Sequence, residues 1–280
     1  MMNNPKHIVI FSDLDACLLD ESYSFESANE ALGMISQMGI PLVFNSSKTL
    51  DELFVIAERL KEAPMLIAEN GTTLAVPVDS PIADAFDSKE IISGYKCIYS
   101  KGALKRISEI INIIRDEYNF KFKAFSDMSA LEISGLTGLD LDSSQKAKNR
   151  FSTEPIIWEG TEDDWDTFKG LLAGLSIQAV RGGQFIHLMD IGYDKGLGML
   201  NILSLLKESD PSIEWVSVAL GDSPNDISML LKADFPIVIP NRKQGTLSID
   251  MPNCYVSDLY SAQGWNEAIM NFLNTNLKII

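Results

Sequence analysis

Short apolar runs, each closed by a polar turn, alternate along the chain with stretches in which apolar positions return every three or four residues. "HIVIF" (7–11), "IPLVF" (40–44), "MLIAENG" (65–71), "WVSVAL" (215–220) and "FPIVIP" (235–240) are runs of the first kind and predict strands. Pro41 suits the first position of its strand. Ala28, Leu32, Ile35 and Met38 form a helical stripe, as do Leu197, Leu200 and Leu203. "TLDE" (49–52) is a capping box placed ahead of Leu53, Phe54, Ala57 and Leu60. Strands that are apolar on both faces and alternate with helices predict a doubly wound, Rossmann-like α/β core with a parallel sheet.

The pattern changes in the middle of the chain. Leu104, Ile107, Ile111 and Ile114 mark a helix, and "TEDDWDTF" (161–168) opens another. "SIQAVRGGQFIHLMDI" (176–191) reads as a hairpin turning on Gly182-Gly183. These segments predict an inserted α+β cap over 83–189, with the core formed by 1–82 and 190–280.

Composition narrows the possible partners. The 280 residues carry a formal charge of −16, a field that repels nucleic acid and anionic membrane. The three cysteines, Cys17, Cys97 and Cys254, form no C-x-x-C pair and are odd in number, which predicts a reducing, cytoplasmic setting. No apolar run is long enough to serve as a signal peptide or to span a bilayer.

The chemistry gathers at the ends of the predicted strands, where open α/β sheets bind ligands. "FSDLDACLLD" (11–20) places Asp13 and Asp15 just past the first strand. "GDSPND" (221–226) places Asp222 just past another, while Ser223, Pro224 and Asp226 suit the cap and first turn of a helix. Aspartates can cap turns, but three at one sheet edge repel unless a cation joins them. An all-oxygen site of this kind suits Mg²⁺. Two histidines far apart in sequence give zinc little support. "NSSKT" (45–49) offers hydroxyls and amides for an anion, or simply a cap by Thr49. "DKG" (194–196) puts Lys195 on the first turn of a helix, where the dipole disfavours a cation unless an anion shares the site. No glycine-rich dinucleotide fingerprint occurs.

Taken in order, "FSDLD", "SSKT", "IAENG", "DKG" and "GDSPND" resemble the motifs of the haloacid dehalogenase superfamily across nearly the whole chain. "FNSSKT", "RFSTEPIIW", "RGGQFIHLMD", "ALGDSPNDISML" and "GWNEAI" are similar to the mannosyl-3-phosphoglycerate phosphatase family. The resemblance implies a Mg²⁺-dependent phosphatase acting on a phosphorylated sugar acid through an aspartyl-phosphate. It assigns attack on phosphorus to Asp13 and proton transfer to Asp15. Phosphoryl binding falls to Ser46 and Lys195, and orientation of Lys195 and the metal shell to Asp226 and Asn225. Asp13, the Asp15 carbonyl and Asp222 hold the metal. It further implies substrate contacts from Ser47, Lys48, Glu69, Asn70 and Gly71, and from Arg150, Arg181, Gly182, Gly183 and His187 in the cap, with the two arginines pairing with a glycerate carboxylate.

The chain departs from the family at Ala16 and Cys17, where glycine and threonine are usual, and at Phe151, where an acid is common. Two other readings stand beside this one. A phosphatase of another sugar phosphate or of a cofactor phosphate keeps the chemistry and changes the substrate. A catalytically weak protein that binds a phosphometabolite is favoured only by Ala16-Cys17.

Overall fold

A computed structural model describes residues 5–182, 184–251 and 253–276. Strand β1 (Lys6–Ser12) begins a unit that continues through α1 (Asn29–Gln37), β2 (Leu42–Asn45), α2 (Leu50–Ala57), β3 (Met65–Ala68), β4 (Thr73–Pro77), β5 (Ile91–Ile92) and β6 (Tyr95–Tyr99). The chain then builds α3 (Ala103–Tyr118), β7 (Phe122–Ala124), α4 (Ala130–Thr137), α5 (Leu141–Lys148), β8 (Glu154–Trp158), α6 (Glu162–Gly174), β9 (Ile177–Arg181) and β10 (Ile186–Asp190). It returns with α7 (Lys195–Ser209), β11 (Glu214–Gly221), α8 (Ile227–Leu230), β12 (Phe235–Val238), β13 (Tyr255–Val256) and α9 (Ser261–Asn276).

The first and last of these segments share one sheet, ordered β13-β12-β11-β1-β2-β3-β4-β6-β5. Pairing is parallel from β13 to β3 and antiparallel from β3 to β5. Alternate residues of the parallel strands feed two apolar layers. Ile8, Ile10 and Phe44 pack with Ile35, Leu53 and Trp265 on one face. Val9, Phe11 and Val43 pack with Met199, Ile202 and Leu230 on the other. Helices therefore cover both sides, and β1 and β11 lie at the point where strand order reverses. Thr49 caps α2 as its sequence predicts: its Oγ1 accepts from the Glu52 amide at 3.2 Å, and Glu52 Oε2 accepts from the Thr49 amide at 2.9 Å.

The second sheet is antiparallel, ordered β7-β8-β10-β9. Ile107, Ile111 and Ile114 of α3 meet Trp165, Phe168 and Leu172 of α6 on one side of it. Phe125, Met128, Ile133 and Ala147 form a smaller apolar cluster, against which Ile157 and Phe185 pack.

Two expectations need correction. Residues 91–99 pair into the nine-stranded sheet rather than the cap, because alternate positions Tyr95 and Cys97 are buried against the core layer. The parallel sheet that the sequence predicts is present from β13 to β3, and the antiparallel strands β4, β6 and β5 extend it at one edge. The 176–191 hairpin forms, but β9 ends at Arg181 and β10 starts at Ile186, so its connection is 182–185 and not a two-residue turn. Gly183 lies outside the described residues.

Three passages of chain meet where core and cap join. The Tyr99 ring stacks on Phe151 at 4.0 Å between centroids. The Leu104 amide donates to the Phe151 carbonyl at 3.3 Å. The Ser100 and Tyr193 hydroxyls stand 3.5 Å apart. A fourth contact lies at Asn149, whose Nδ2 donates to Asp51 of α2 at 2.6 Å.

Candidate active site

The site grows from the ends of β1 and β11, whose register pairs Ser12 with Leu220. Asp13 follows the first strand and Asp222 the second, so parallel pairing alone brings the two acids side by side. The Asp13 amide donates to the Leu220 carbonyl at 2.9 Å. Its carbonyl accepts from Ser12 Oγ at 2.6 Å, and Ser12 Oγ accepts from Trp265 Nε1 at 2.9 Å. The tryptophan of "GWNEAI" thus braces the backbone at Asp13 from behind.

Asp226 completes the acidic group. Its Oδ2 accepts from the amides of Asp222 and Ser223, both at 3.0 Å. Gly221 makes this possible, since a Cβ there would stand 2.5 Å from the Asp226 Cβ. Lys195 opens α7 behind these acids, with Nζ 2.6 Å from Asp13 Oδ1 and 2.5 Å from Asp226 Oδ1. Asp194 caps α7 through the Leu197 amide at 2.6 Å, and Asn45 Nδ2 holds the Lys195 carbonyl at 2.9 Å.

Burial sets the electrostatics. It raises the Asp13 carboxyl to about 6 against the pull of Lys195, with Asp226 and Asp15 adding repulsion. It raises Asp222 to about 9, helped by the charges of Asp13 and Asp226. Burial opposes the charge on Lys195, but Asp13 and Asp226 outweigh it and hold the ammonium above its ordinary range.

This donor set fits a hard divalent cation. Oxygens of Asp13, Asp222 and Asp226 lie within 4.8 Å of one another. Both Asp226 oxygens are already engaged, whereas Asp222 Oδ1 is buried without a partner. Three carboxylates against one ammonium leave negative charge that a cation offsets. Asn241, which the sequence did not single out, donates through Nδ2 to the other Asp222 oxygen. Its only sequence signal is the turn-forming "NRKQG" after β12.

The other predicted residues divide into two sets. Ser46 is buried, with its amide on the Ile67 carbonyl at 2.9 Å and its Oγ accepting from the Lys48 amide at 3.3 Å. Asp15 is half exposed and pairs with Lys48 Nζ at 2.9 Å. Lys48 also lies 3.8 Å from Glu52. Burial opposes its charge, yet the two acids raise it. Asn225 Nδ2 donates to Asn70 Oδ1 at 2.9 Å. Asp13, Asp15, Ser47, Lys48, Asn225 and His187 line a cavity of about 810 Å³ between core and cap. Burial, with the charges of Arg150 and Lys195, holds His187 well below its ordinary pKa and therefore neutral.

Four predicted substrate contacts serve elsewhere. Glu69 is fully buried and accepts from the amides of Phe151, Ser152 and Thr153 at 2.8, 3.1 and 2.9 Å. Gly71, at φ +95°, packs against the Asp194 carbonyl with no room for a Cβ. Arg150 borders the cavity, but its guanidinium donates to Thr153 Oγ1 at 2.9 Å, to the Ala147 carbonyl at 3.2 Å and to the Ser47 carbonyl. Three of its five donors are thus engaged, and Glu69 Oε2 lies 3.8 Å from its Nε. Arg181 is exposed over the Trp165 ring, 5.6 Å from its centroid. Gly182 is close to His187, where a Cβ would stand 3.2 Å from Nε2. Of the departures, Ala16 takes φ +58° and Phe151 joins the stack at the core–cap junction. Cys17 is buried, and burial with the acidic group pushes its thiol far up, so it is an inert core residue.

The haloacid dehalogenase-like hydrolase family model matches residues 10–249. Over 269 residues the chain is 35% identical to the glucosyl-3-phosphoglycerate/mannosyl-3-phosphoglycerate phosphatase of Persephonella marina, across 95% of this chain and 97% of that one. The protein of the same name from Methanococcoides burtonii is 32% identical over 280 residues, 98% of this chain and all of that one. A solved haloacid dehalogenase-like hydrolase from Bacteroides thetaiotaomicron shares the fold at a TM-score of 0.62, with 20% identity, 95% of this chain covered and 100% of that one. The chain is thus a phosphoric monoester hydrolase and belongs to the mannosyl-3-phosphoglycerate phosphatase family of the haloacid dehalogenase-like hydrolases.

Proposed function

We propose that the chain is a Mg²⁺-dependent phosphatase that converts a glycosyl-3-phosphoglycerate to glycosylglycerate and phosphate through an aspartyl-phosphate on Asp13. The pairing of Asp13 with Lys195 beside the unpartnered oxygen of Asp222 carries this reading. Asp13, Asp222 and the Asp15 carbonyl would hold the ion, which when bound supplies positive charge against the phosphoryl oxygens.

Lys195, 2.6 Å from Asp13 Oδ1 and held in place by Asp226, favours the ionised Asp13 carboxylate against burial and the Asp226 charge, which favour protonation. The Asp13 oxygen not bound by Lys195 attacks phosphorus, and the bond from phosphorus to the glycerate oxygen breaks. Asp15, held at the cavity wall by Lys48, gives its proton to that leaving oxygen. It then takes a proton from the water that attacks phosphorus, releasing phosphate and restoring Asp13. Ser46 and Lys195 bind phosphoryl oxygens at the ends of β2 and the start of α7.

The names of the two relatives support the sugar-acid substrate. The cap wall, with Phe125, Leu136 and Phe185, gives apolar faces on which a sugar ring can rest. The free cysteines fit a reducing cytoplasm, and among the described residues no helix is long and apolar enough to cross a membrane.

The test is phosphate release with Mg²⁺ from mannosyl- and glucosyl-3-phosphoglycerate beside hexose phosphates. Preference for the glycosyl-phosphoglycerates, with loss on chelation and in Asp13→Asn, is expected. Borohydride added to enzyme in turnover should convert Asp13 to homoserine. Preference for hexose phosphates would overturn the substrate, and full activity of Asp13→Asn would overturn the mechanism.

A further inference from the structure

The cavity is rich in acids. Asp13, Asp15, Asp20, Glu21, Glu52 and Asp222 all border it, in a chain of charge −16. A substrate carrying both a phosphate and a carboxylate needs cations there. Four side chains of the wall are cationic: Lys48, Arg150, Arg242 and Lys243. Lys48 is held between Asp15 and Glu52. Arg150 gives three of its five donors to carbonyls and to Thr153, and lies 3.8 Å from Glu69. Among the described residues, Arg242 and Lys243 make no ion pair.

Their loop is built for a fixed position. Asn241 Oδ1 accepts from the amides of Lys243 and Gln244 at 2.8 and 3.0 Å. Asn241 and Gly245 exchange backbone hydrogen bonds at 3.1 and 2.9 Å, closing the turn. The same Asn241 donates to Asp222. Arg242 is therefore one residue from a side chain bonded to the acidic group. Its guanidinium lies over the Tyr260 ring, 4.6 Å from the centroid, which limits how it can turn. Tyr260 immediately precedes Ser261, which also borders the cavity.

We propose that Arg242, supported by Lys243, recognises the carboxylate of the substrate. The inference rests on the phosphoglycerate reading above and names the residues that distinguish such an acid from a neutral phosphate ester. In a 3-phosphoglycerate unit the carboxylate is joined to the middle carbon, which is bonded directly to the carbon bearing the phosphate oxygen. Asp13 and the 241–244 loop, tied to Asp222 through Asn241, border one cavity, so a carboxylate two bonds from the phosphate-bearing carbon can reach the cations of the loop. Arginine suits this task because its planar fork donates two parallel hydrogen bonds to a carboxylate. Of the two arginines that the sequence offered, Arg181 does not border the cavity, and Arg150 already gives three donors to Thr153 and to the Ala147 and Ser47 carbonyls.

The test compares two esters of the same sugar: mannosyl-3-phosphoglycerate, and the analogue in which a hydroxymethyl group replaces the carboxylate. The readout is the ratio of their kcat/KM values. Wild-type enzyme should favour the acid, and Arg242→Met should lower the ratio about tenfold to a hundredfold, mainly through KM for the acid. Arg242→Lys should fall between them, and Lys243→Met should lower the ratio less. Arg242 is exposed, so these variants should fold, which circular dichroism checks. An unchanged ratio in Arg242→Met, or a wild type that does not prefer the acid, overturns the inference and leaves the phosphatase standing. A wild type that hydrolyses hexose phosphates but neither of these esters overturns the substrate reading and the inference together.

Discussion

Glu69, at the end of β3, grips Thr153 through both its amide and its hydroxyl, at 2.9 and 2.8 Å, across 84 residues of sequence. The same carboxylate holds the amides of Phe151 and Ser152, so one buried acid satisfies the donors of the connection that leads from α5 into β8. Glu69→Gln turns part of this acceptor into a donor facing buried amides. We expect a loss of about 2–4 kcal/mol in unfolding free energy, read from urea denaturation.

Lys195 has no exposed side-chain surface and balances two acids. Lys195→Met removes that balance while keeping the length of the shaft. Phosphate release should fall by about a hundredfold or more, measured as kcat at saturating substrate. Lys195→Arg should not rescue it, because the guanidinium is larger than the space between Asp13 and Asp226.

Asp13 and Asp222 are both raised in the folded protein, to about 6 and about 9 from 3.8. The folded state therefore binds more protons than the unfolded chain above pH 3.8. Without a divalent cation, the stability linked to these groups is present below that pH and is lost as pH rises through about 6 and then about 9. Thermal melts in chelator should fall across this window. Added Mg²⁺ should raise the melting temperature more at the alkaline end than at the acid end.

Ala16 occupies a left-handed conformation, φ +58°, that costs an L-residue about 1–2 kcal/mol. Ala16→Gly removes the strain but gives the unfolded chain more freedom. A net gain of up to about 1 kcal/mol is expected in thermal unfolding, and a loss would mean that the methyl group packs usefully.

The acidic group and Lys195 were legible in the sequence because each sits at a strand end or helix start, and those positions follow from local pattern. Asp13 and Asp222 needed only the parallel register of β1 and β11 to meet. The partners of Glu69, Arg150 and Arg181 within the fold could not be read from the sequence because they come from distant places: Thr153 for Glu69, the Ser47 carbonyl for Arg150, the Trp165 ring for Arg181. A charged residue in a motif does not announce whether it faces a ligand or a buried amide. Residues 91–99 were placed in the wrong unit because a short edge strand with alternating burial looks the same in either sheet. Asn241 escaped notice since its role depends on Asp222, 19 residues earlier.

The stacking of Tyr99 on Phe151, with Ser100 beside Tyr193, gathers both connections between core and cap at one corner. Asn149 on Asp51 and Arg150 on the Ser47 carbonyl tie the two units again beside α2, so the cap is held along an edge rather than at a single point. Gln184 and Phe185 from the β9–β10 connection and the 241–244 loop border the same cavity. A ligand of the acidic group would share that space with Arg242 and Lys243.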